Sequence, residues 1–120
     1  MRKNRLLLIE NDVIVGAGIG LGLHDFAVDW VRDGLAAQRA LQSESYSVVV
    51  LDLGLPRQQC LAILEALYMR TNPVPLVVID AQESGDDLAE VLRRIRAAVC
   101  RQAQRGGREE AMFTLPFSWR

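Results

Sequence analysis

The chain has 120 residues, of which 50% are hydrophobic and 24% are charged, and its formal net charge is −1. This length suits one domain with a hydrophobic core, and the composition excludes a disordered chain. The small net charge argues against direct binding to nucleic acid or to a membrane surface, and no apolar run is long enough to span a bilayer. We therefore expect a globular, cytoplasmic protein.

Short apolar runs alternate with helical patterns along the chain. Continuous apolar runs predict central strands of a parallel sheet, buried on both faces, at 5–9, 47–51 and 75–79. The run 26–31 carries Asp29 among apolar neighbours and predicts an edge strand. Helical patterns lie at 13–24, 34–44, 58–70 and 86–104, the last capped by Ser84 and Asp87. This alternation predicts an α/β fold with right-handed crossovers.

The stretch GAGIGLGL (16–23) contains four glycines but is not a phosphate-binding loop. The glycines do not match the spacing i, i+2, i+5 of a dinucleotide fingerprint, and the turn after the first strand, 10–12, is acidic. The glycines instead fall inside the first predicted helix, which has no charged side chain. They indicate either close packing against a partner or the drift of a degenerate domain. On the first interpretation, Gly16, Ile19 and Gly20 are interface residues.

Acidic residues follow three of the predicted strands. Glu10 and Asp12 flank Asn11 after the first strand, Asp52 ends the third, and Asp80 follows the fourth. Any one of them alone is more simply explained as the cap of a following helix. Because the carboxyl ends of parallel strands meet at one edge of a sheet, the three strand ends together favour a functional site.

Five stretches carry a resemblance to a known family: LLLIEND (6–12), VDWVRDGLAAQRAL (28–41), VVVLDLGLP (48–56), PLVVIDA (75–81) and DDLAEVLRRIRAAV (86–99). They resemble the receiver domain of bacterial two-component response regulators, in the branch joined to a winged-helix DNA-binding domain. The resemblance implies a flavodoxin-like parallel sheet in the order 2-1-3-4-5. It also implies phosphoryl transfer from a histidine kinase to an aspartate.

The resemblance assigns roles to five positions. Asp52 matches the phosphoacceptor, and Glu10 matches the first acidic residue of the pocket. Asn11 stands where the family has a carboxylate that binds Mg²⁺, and the carbonyl of Gly54 matches a third metal ligand. Asp80 replaces the threonine or serine whose hydroxyl holds the phosphoryl group.

Two departures from the family pattern stand out. The lysine that follows the fifth strand has no counterpart, since Lys3 is the only lysine of the chain. The usual fourth helix and fifth strand are also missing or rearranged. In one alignment, which we favour because the match is longer, helix 86–104 is the family's last helix. In the other it is an unusual fourth helix, and 111–115 is strand five. In either case a C-terminal strand can complete the sheet.

Without the lysine and the hydroxyl, we expect phosphorylation of Asp52 to be slow and Mg²⁺ to bind weakly if at all. The leading hypothesis is a pseudo-receiver, a signalling module rather than an enzyme. It would act by dimerisation or by binding a histidine kinase or an effector protein. The alternatives are a phosphorylatable receiver that regulates transcription, and a remnant that has lost its DNA-binding domain.

A homodimer is the expected assembly, because a missing fifth strand would expose the edge of the sheet. In the family, arginines of the last helix form dimer salt bridges, and Arg94 and Arg96 match them. The other arginines after position 90 are expected to be a solvated face rather than a nucleic-acid site. We expect residues 1–104 to form the domain. Residues 105–120 would be a linker and an apolar segment, either an edge strand or the start of a lost domain.

Overall fold

The computed structural model describes residues 3–70, 73–80, 87–105 and 113–114. Strands and helices alternate, with bounds close to those that the sequence predicts. The elements in chain order are β1 (Asn4–Ile9), α1 (Val13–Gly22), β2 (Phe26–Val31), α2 (Gly34–Ser43), β3 (Val48–Asp52), α3 (Arg57–Tyr68), β4 (Leu76–Ile79), α4 (Leu88–Arg105) and β5 (Phe113–Thr114).

The five strands form one sheet in the order β2-β1-β3-β4-β5, and all the pairings are parallel. This is the flavodoxin-like topology that the resemblance implies. β2 is an edge strand, as its internal charge predicts, and Asp29 is neutralised there by Arg5 at 3.1 Å. The register sets Ile9 of β1 beside Leu51 of β3, so the residues that follow these two strands are neighbours.

Alternate residues of each central strand face opposite sides of the sheet and build two apolar layers. One layer lies under α1 and α4 and includes Leu6, Leu8, Ile19, Val50 and Ile95. The other lies under α2 and α3 and includes Leu7, Ile9, Leu41, Val49 and Ile63. The segments 6–9 of β1 and 48–51 of β3 are therefore fully buried, which explains their unbroken aliphatic sequences.

The last crossover departs from the predicted right-handed pattern. A connection from β4 to β5 with the hand of the other three would place its helix beside α3. α4 instead lies beside α1, because its buried stripe of Val91, Ile95 and Ala98 packs with Ile19 and Leu23. The β4–α4–β5 connection thus has the opposite hand. In chain order a strand follows this helix, as in the second of the two alignments.

Aspartates provide the N-terminal caps of three helices. Asp12 Oδ1 accepts hydrogen bonds from the N–H groups of Ile14 and Val15, and Asp33 caps α2 in the same manner. Asp87 caps α4 by accepting from the N–H of Glu90 at 2.8 Å. Ser84, the other half of the predicted α4 cap, lies outside the described residues. The caps explain why α1 and α4 begin where they do.

The glycines of α1 allow close packing within the chain. A methyl group added at Gly16 would lie 2.1 Å from Cζ2 of Trp30, and one added at Gly22 would lie 2.4 Å from a methyl carbon of Leu92. At Gly20 such a group would meet no atom within 4 Å. The glycine at position 16 is thus required by the rigid indole of Trp30, while an added methyl group at position 22 would require the end of the Leu92 side chain to shift.

Candidate functional site

Glu10 lies in a buried acidic pocket at the carboxyl ends of β1 and β3. Its side chain has no exposed surface, and its Oε2 accepts a hydrogen bond from the N–H of Asp12 at 3.1 Å. No N–H or hydroxyl donor of the described residues reaches the other carboxylate oxygen, Oε1, which is also buried. A buried acidic oxygen in this position needs a proton or a cation to offset the loss of hydration.

Asp52, the last residue of β3, supplies the second carboxylate of the pocket. It is 3% exposed, and its Oδ1 accepts a hydrogen bond from the N–H of Gly54 at 3.0 Å. Burial, followed by a hydrogen bond to the Asp52 carboxylate, raises the pKa of Glu10 to about 8. Glu10 is therefore largely protonated at neutral pH.

Asp80 follows β4 and is buried, but it does not complete a three-carboxylate cluster with Glu10 and Asp52. In the β3–β4 register Asp52 stands beside Ile79, so Asp80 lies one residue beyond the level of the pair. Within the described ranges, no three His, Cys, Asp or Glu side chains are arranged to hold a metal ion. The three strand-end carboxylates thus do not form a metal site by themselves, and a place for Asp80 in the pocket stays a prediction.

The two acidic residues of the loop between β1 and α1 have different roles. The carboxylate of Asp12 caps α1, so the simpler interpretation of this residue holds. Asn11 is exposed, and its backbone carbonyl accepts a hydrogen bond from Nη2 of Arg32 at 3.0 Å. Of the three residues in the loop, only Glu10 carries its acidic group into the pocket.

Gly54 is exposed and lies directly against the phosphoacceptor candidate. A methyl group added at this position would lie 3.1 Å from Oδ2 of Asp52. The backbone N–H of Gly54 already donates to the other oxygen of the same carboxylate. This glycine therefore keeps the Asp52 carboxylate free of a covering side chain at position 54.

The structure corrects three of the five predicted interface residues. Gly16 lies under Trp30 and Ile19 is fully buried in the core, so neither is available to a partner. Arg94 is also buried, and its Nη2 donates to the carbonyl oxygen of Val78 at 2.5 Å. The remaining two predicted interface residues, Gly20 and Arg96, are accessible.

Arg96 has an acidic partner within the chain. Its guanidinium pairs with Asp25 at 2.6 Å, donates to the carbonyl of Gly22 and lies 5.6 Å from the centre of the Phe26 ring. The arginine holds the pKa of Asp25 at about 2 through their hydrogen bond. The acidic partner of Arg96 is thus a residue of the same chain, in the loop after α1.

Two residues of the site were missed from the sequence. Trp30 donates its indole N–H to the carbonyl of Glu10 at 2.8 Å, and Arg32 holds the next carbonyl of the loop. Their position at the carboxyl end of a strand adjacent to β1 was the available signal. A tryptophan and an arginine near an acidic turn have too many other roles for sequence alone to assign this one.

No helix within the described ranges is both long and apolar enough to cross a membrane. No protein-family model matches the chain. It is 35% identical over 118 residues to the transcriptional regulatory protein QseB of Haemophilus influenzae, covering 82% of this chain and 53% of that protein. It is 40% identical over 85 residues to the response regulator protein PmrA of Pseudomonas aeruginosa, covering 69% of this chain and 38% of that protein.

The chain thus spans about half the length, or less, of these curated relatives. The QseB alignment runs over 118 positions but covers only 82% of the 120-residue chain, so QseB has residues there without a counterpart here. This agrees with a segment missing from the usual pattern.

Solved structures of receiver domains share the fold. The Francisella response regulator 1452 receiver domain has a TM-score of 0.68 at 17% identity, covering 83% of this chain and 99% of that chain. The receiver domain of the sensor histidine kinase PA1611 from Pseudomonas aeruginosa, described with a magnesium ion coordinated in its active site cleft, has a TM-score of 0.70 at 19% identity. That match covers 82% of this chain and 98% of the other.

This chain is a receiver-type signalling domain, as shown by the order of its strands, by the aspartate at the end of β3 and by its similarity to known proteins. In particular, the chain corresponds to the receiver part of a two-component response regulator.

Proposed function

We propose that this chain is a pseudo-receiver, a signalling module that works by binding partners and accepts phosphate poorly. The observation that carries the proposal is the place of its only lysine. Lys3 precedes β1 and donates to the carbonyl of His24, at the opposite end of the sheet from Glu10 and Asp52. It therefore has no access to a phosphoryl group at Asp52.

The chemistry of transfer to Asp52 is also unfavourable. Phosphoryl transfer is accelerated by positive charge and oriented donors around the three transferring oxygens. Here the position that carries a hydroxyl in the family is Asp80, which has no proton to donate when it is ionised. The Asp52 carboxylate is only 3% exposed and lies beside the buried Glu10, so little of its surface is accessible for attack on a phosphoryl donor.

A divalent cation is compatible with the pocket but not strongly favoured. Glu10 has a buried oxygen without an N–H or hydroxyl donor from the described chain, and Asp52 is adjacent, so carboxylate ligands for Mg²⁺ are present. Glu10, Asp52 and the carbonyl of Gly54 would hold the ion, with Asn11 at the rim. Such an ion would supply positive charge, and it would have to displace the proton that Glu10 holds at neutral pH. We propose binding in the millimolar range.

Incubation of the protein with acetyl phosphate and Mg²⁺, followed by intact-mass measurement, tests the proposal. We expect no gain of phosphate by the unmodified chain over a period in which an active receiver domain is fully labelled. Asp52→Ala is the control for labelling elsewhere. An acid-labile phosphate on the unmodified chain, absent from Asp52→Ala, would establish the alternative, a receiver that accepts phosphate from a histidine kinase. The position of Asp52 at the end of β3 favours that alternative.

We further propose that the partner surface includes α1 and that the chain forms a weak homodimer. Ile14 and Leu21 of this helix are 83% and 80% exposed, and Ala17 lies between them on the same face. The helix has no charged side chain. Two large apolar side chains separated by two turns, with a small residue midway, suit an antiparallel pair of identical helices.

The proposed receiver unit is residues 1–104, with residues 105–120 as a separate segment. The end of α4 at Arg105, directly before two glycines, supports a boundary there. Phe113–Thr114 returns to the sheet as β5, which supports the edge-strand interpretation of the C-terminal segment. This division can be tested by expressing residues 1–104 alone. The free energy of unfolding of this fragment would be compared with that of the whole chain.

A further inference from the structure

The two backbone carbonyls at the start of the acidic loop are both held by side chains from the end of β2. The indole N–H of Trp30 donates to the carbonyl of Glu10 at 2.8 Å. Nη2 of Arg32 donates to the carbonyl of Asn11 at 3.0 Å. The N–H of Glu10 in turn donates to the carbonyl of Val31 at 3.0 Å, which continues the β1–β2 pairing. The backbone of Glu10 is therefore fixed on both of its polar sides.

Trp30 also contacts the helix that the loop leads into. Its indole ring lies so close to Gly16 that a methyl group there would be 2.1 Å from Cζ2. The same helix begins at the Asp12 cap, two residues after Glu10. One indole ring thus holds the end of β1 through a hydrogen bond and the first turn of α1 through packing. It therefore fixes the distance that the loop between them has to bridge.

The orientation of the Glu10 carboxyl group depends on the distance between the end of β1 and the start of α1. Its Oε2 accepts from the N–H of Asp12, a bond that forms only when the loop is folded back on itself. Its other oxygen, Oε1, is buried beside the end of β3, where Asp52 lies. A shift of the carbonyl group of Glu10 or Asn11 would therefore move both oxygens of the Glu10 carboxyl group.

We infer that Trp30 and Arg32 are positioning residues for the acidic pocket. They hold the loop so that Glu10 faces Asp52 and can bind a divalent cation with it. This inference rests on the proposed cation site. Groups that orient the ligands of a metal commonly change its affinity by about 10-fold or more when they are removed.

The charge of Arg32 allows a test by the direction in which cation affinity changes when the side chain is replaced. If the guanidinium acted only through its charge, its removal would strengthen the binding of a cation, because a nearby positive charge would be lost. If it positions the loop, its removal weakens binding. Trp30→Phe carries no change of charge, so only the positioning role predicts an effect for that variant.

The experiment is calorimetric titration of the full chain with Mn²⁺ and with Mg²⁺. We expect Trp30→Phe and Arg32→Met each to weaken binding about 10-fold. Arg39→Met, which removes an exposed arginine of α2, should leave the affinity unchanged, and Arg32→Lys should recover part of it, because lysine can still donate to a carbonyl. Equal or tighter binding by Arg32→Met together with unchanged binding by Trp30→Phe would overturn the inference.

Amide hydrogen exchange separates this inference from the proposed cation site. Without metal, Trp30→Phe and Arg32→Met should speed exchange at Asp12, Ile14 and Val15 by about 5-fold or more, while the core strands stay protected. If the unmodified chain binds neither ion, the cation proposal fails and exchange alone decides the positioning role. Unchanged exchange in the loop, or an equal increase throughout the chain, would overturn it.

Discussion

The carboxyl groups of Glu10 and Asp52 are both buried at the ends of two adjacent strands, and burial beside Asp52 raises the pKa of Glu10 to about 8. This arrangement follows from the parallel register of β1 and β3, which places the two strand ends side by side. Two acidic groups this close cannot both be ionised without a counter-charge. The Glu10 proton is therefore part of the folded structure, and pH changes have a direct effect on stability.

Stability should fall as the pH rises through the titration of Glu10. The ordinary pKa of 4.5 is raised to about 8 in the folded chain, so the folded state keeps a proton that the unfolded chain has released. The stabilisation is complete below pH 4.5 and is lost as the pH passes 8. In urea unfolding from pH 5 to 9, we expect the contribution of Glu10 to decline by up to roughly 4 kcal/mol.

Glu10→Gln should remove this decline, because the amide is neutral at every pH. Glu65→Gln, at an exposed position of α3, is the matched control and should keep it. A slope that persists in Glu10→Gln would show that another group binds the proton.

Alanine substitutions along α1 should have opposite signs at positions four residues apart. Gly20→Ala should stabilise the chain by about 1 kcal/mol, since alanine favours a helix and the added methyl group meets no neighbour. Gly16→Ala should destabilise it by roughly 1–3 kcal/mol, since the methyl group would collide with the indole of Trp30. Thermal unfolding of the two variants measures both effects. Equal shifts would mean that Trp30 does not pack on the helix.

Self-association should depend on the exposed face of α1. Ile14→Asp and Leu21→Asp should each shift the chain toward monomer by about 10-fold in dissociation constant, because each places a charge within an apolar contact. Leu35→Asp is the control, since Leu35 is 59% exposed on α2. Sedimentation equilibrium at tens of micromolar provides the measurement. If the unmodified chain is wholly monomeric there, the homodimer proposal fails.

Two adjacent arginines of α4 should differ in their contribution to stability. Arg94 is buried and bonds the carbonyl of Val78, so Arg94→Met should cost roughly 1–3 kcal/mol by leaving that carbonyl without its donor. Arg93 pairs with Glu90 at the surface, and Arg93→Met should change the free energy of unfolding by about 0.5 kcal/mol or less. Urea unfolding of both variants checks the difference, and a smaller loss for Arg94→Met than for Arg93→Met would contradict it.

The sequence by itself determined the strand and helix order and the place of the acidic residues. The strands β1, β3 and β4 carry aliphatic side chains on both faces, and both faces can be buried only if helices cover the two sides of the sheet. This pattern is typical of a parallel sheet, so it predicts one from the sequence alone. The strand ends then locate Glu10 and Asp52 at one edge of that sheet. The internal charge of β2 likewise placed this strand at an edge.

Only the tertiary structure decided which of these residues meet. The placement of Glu10 beside Asp52, and of Asp80 one residue further along its strand, depends on strand register at the level of one residue. Of the glycines of α1, Gly16 packs under Trp30 of β2 and Gly22 packs against Leu92 of α4. The opposite hand of the last crossover follows from the packing of α4 on α1. Each of these depends on long-range contacts that no local pattern encodes.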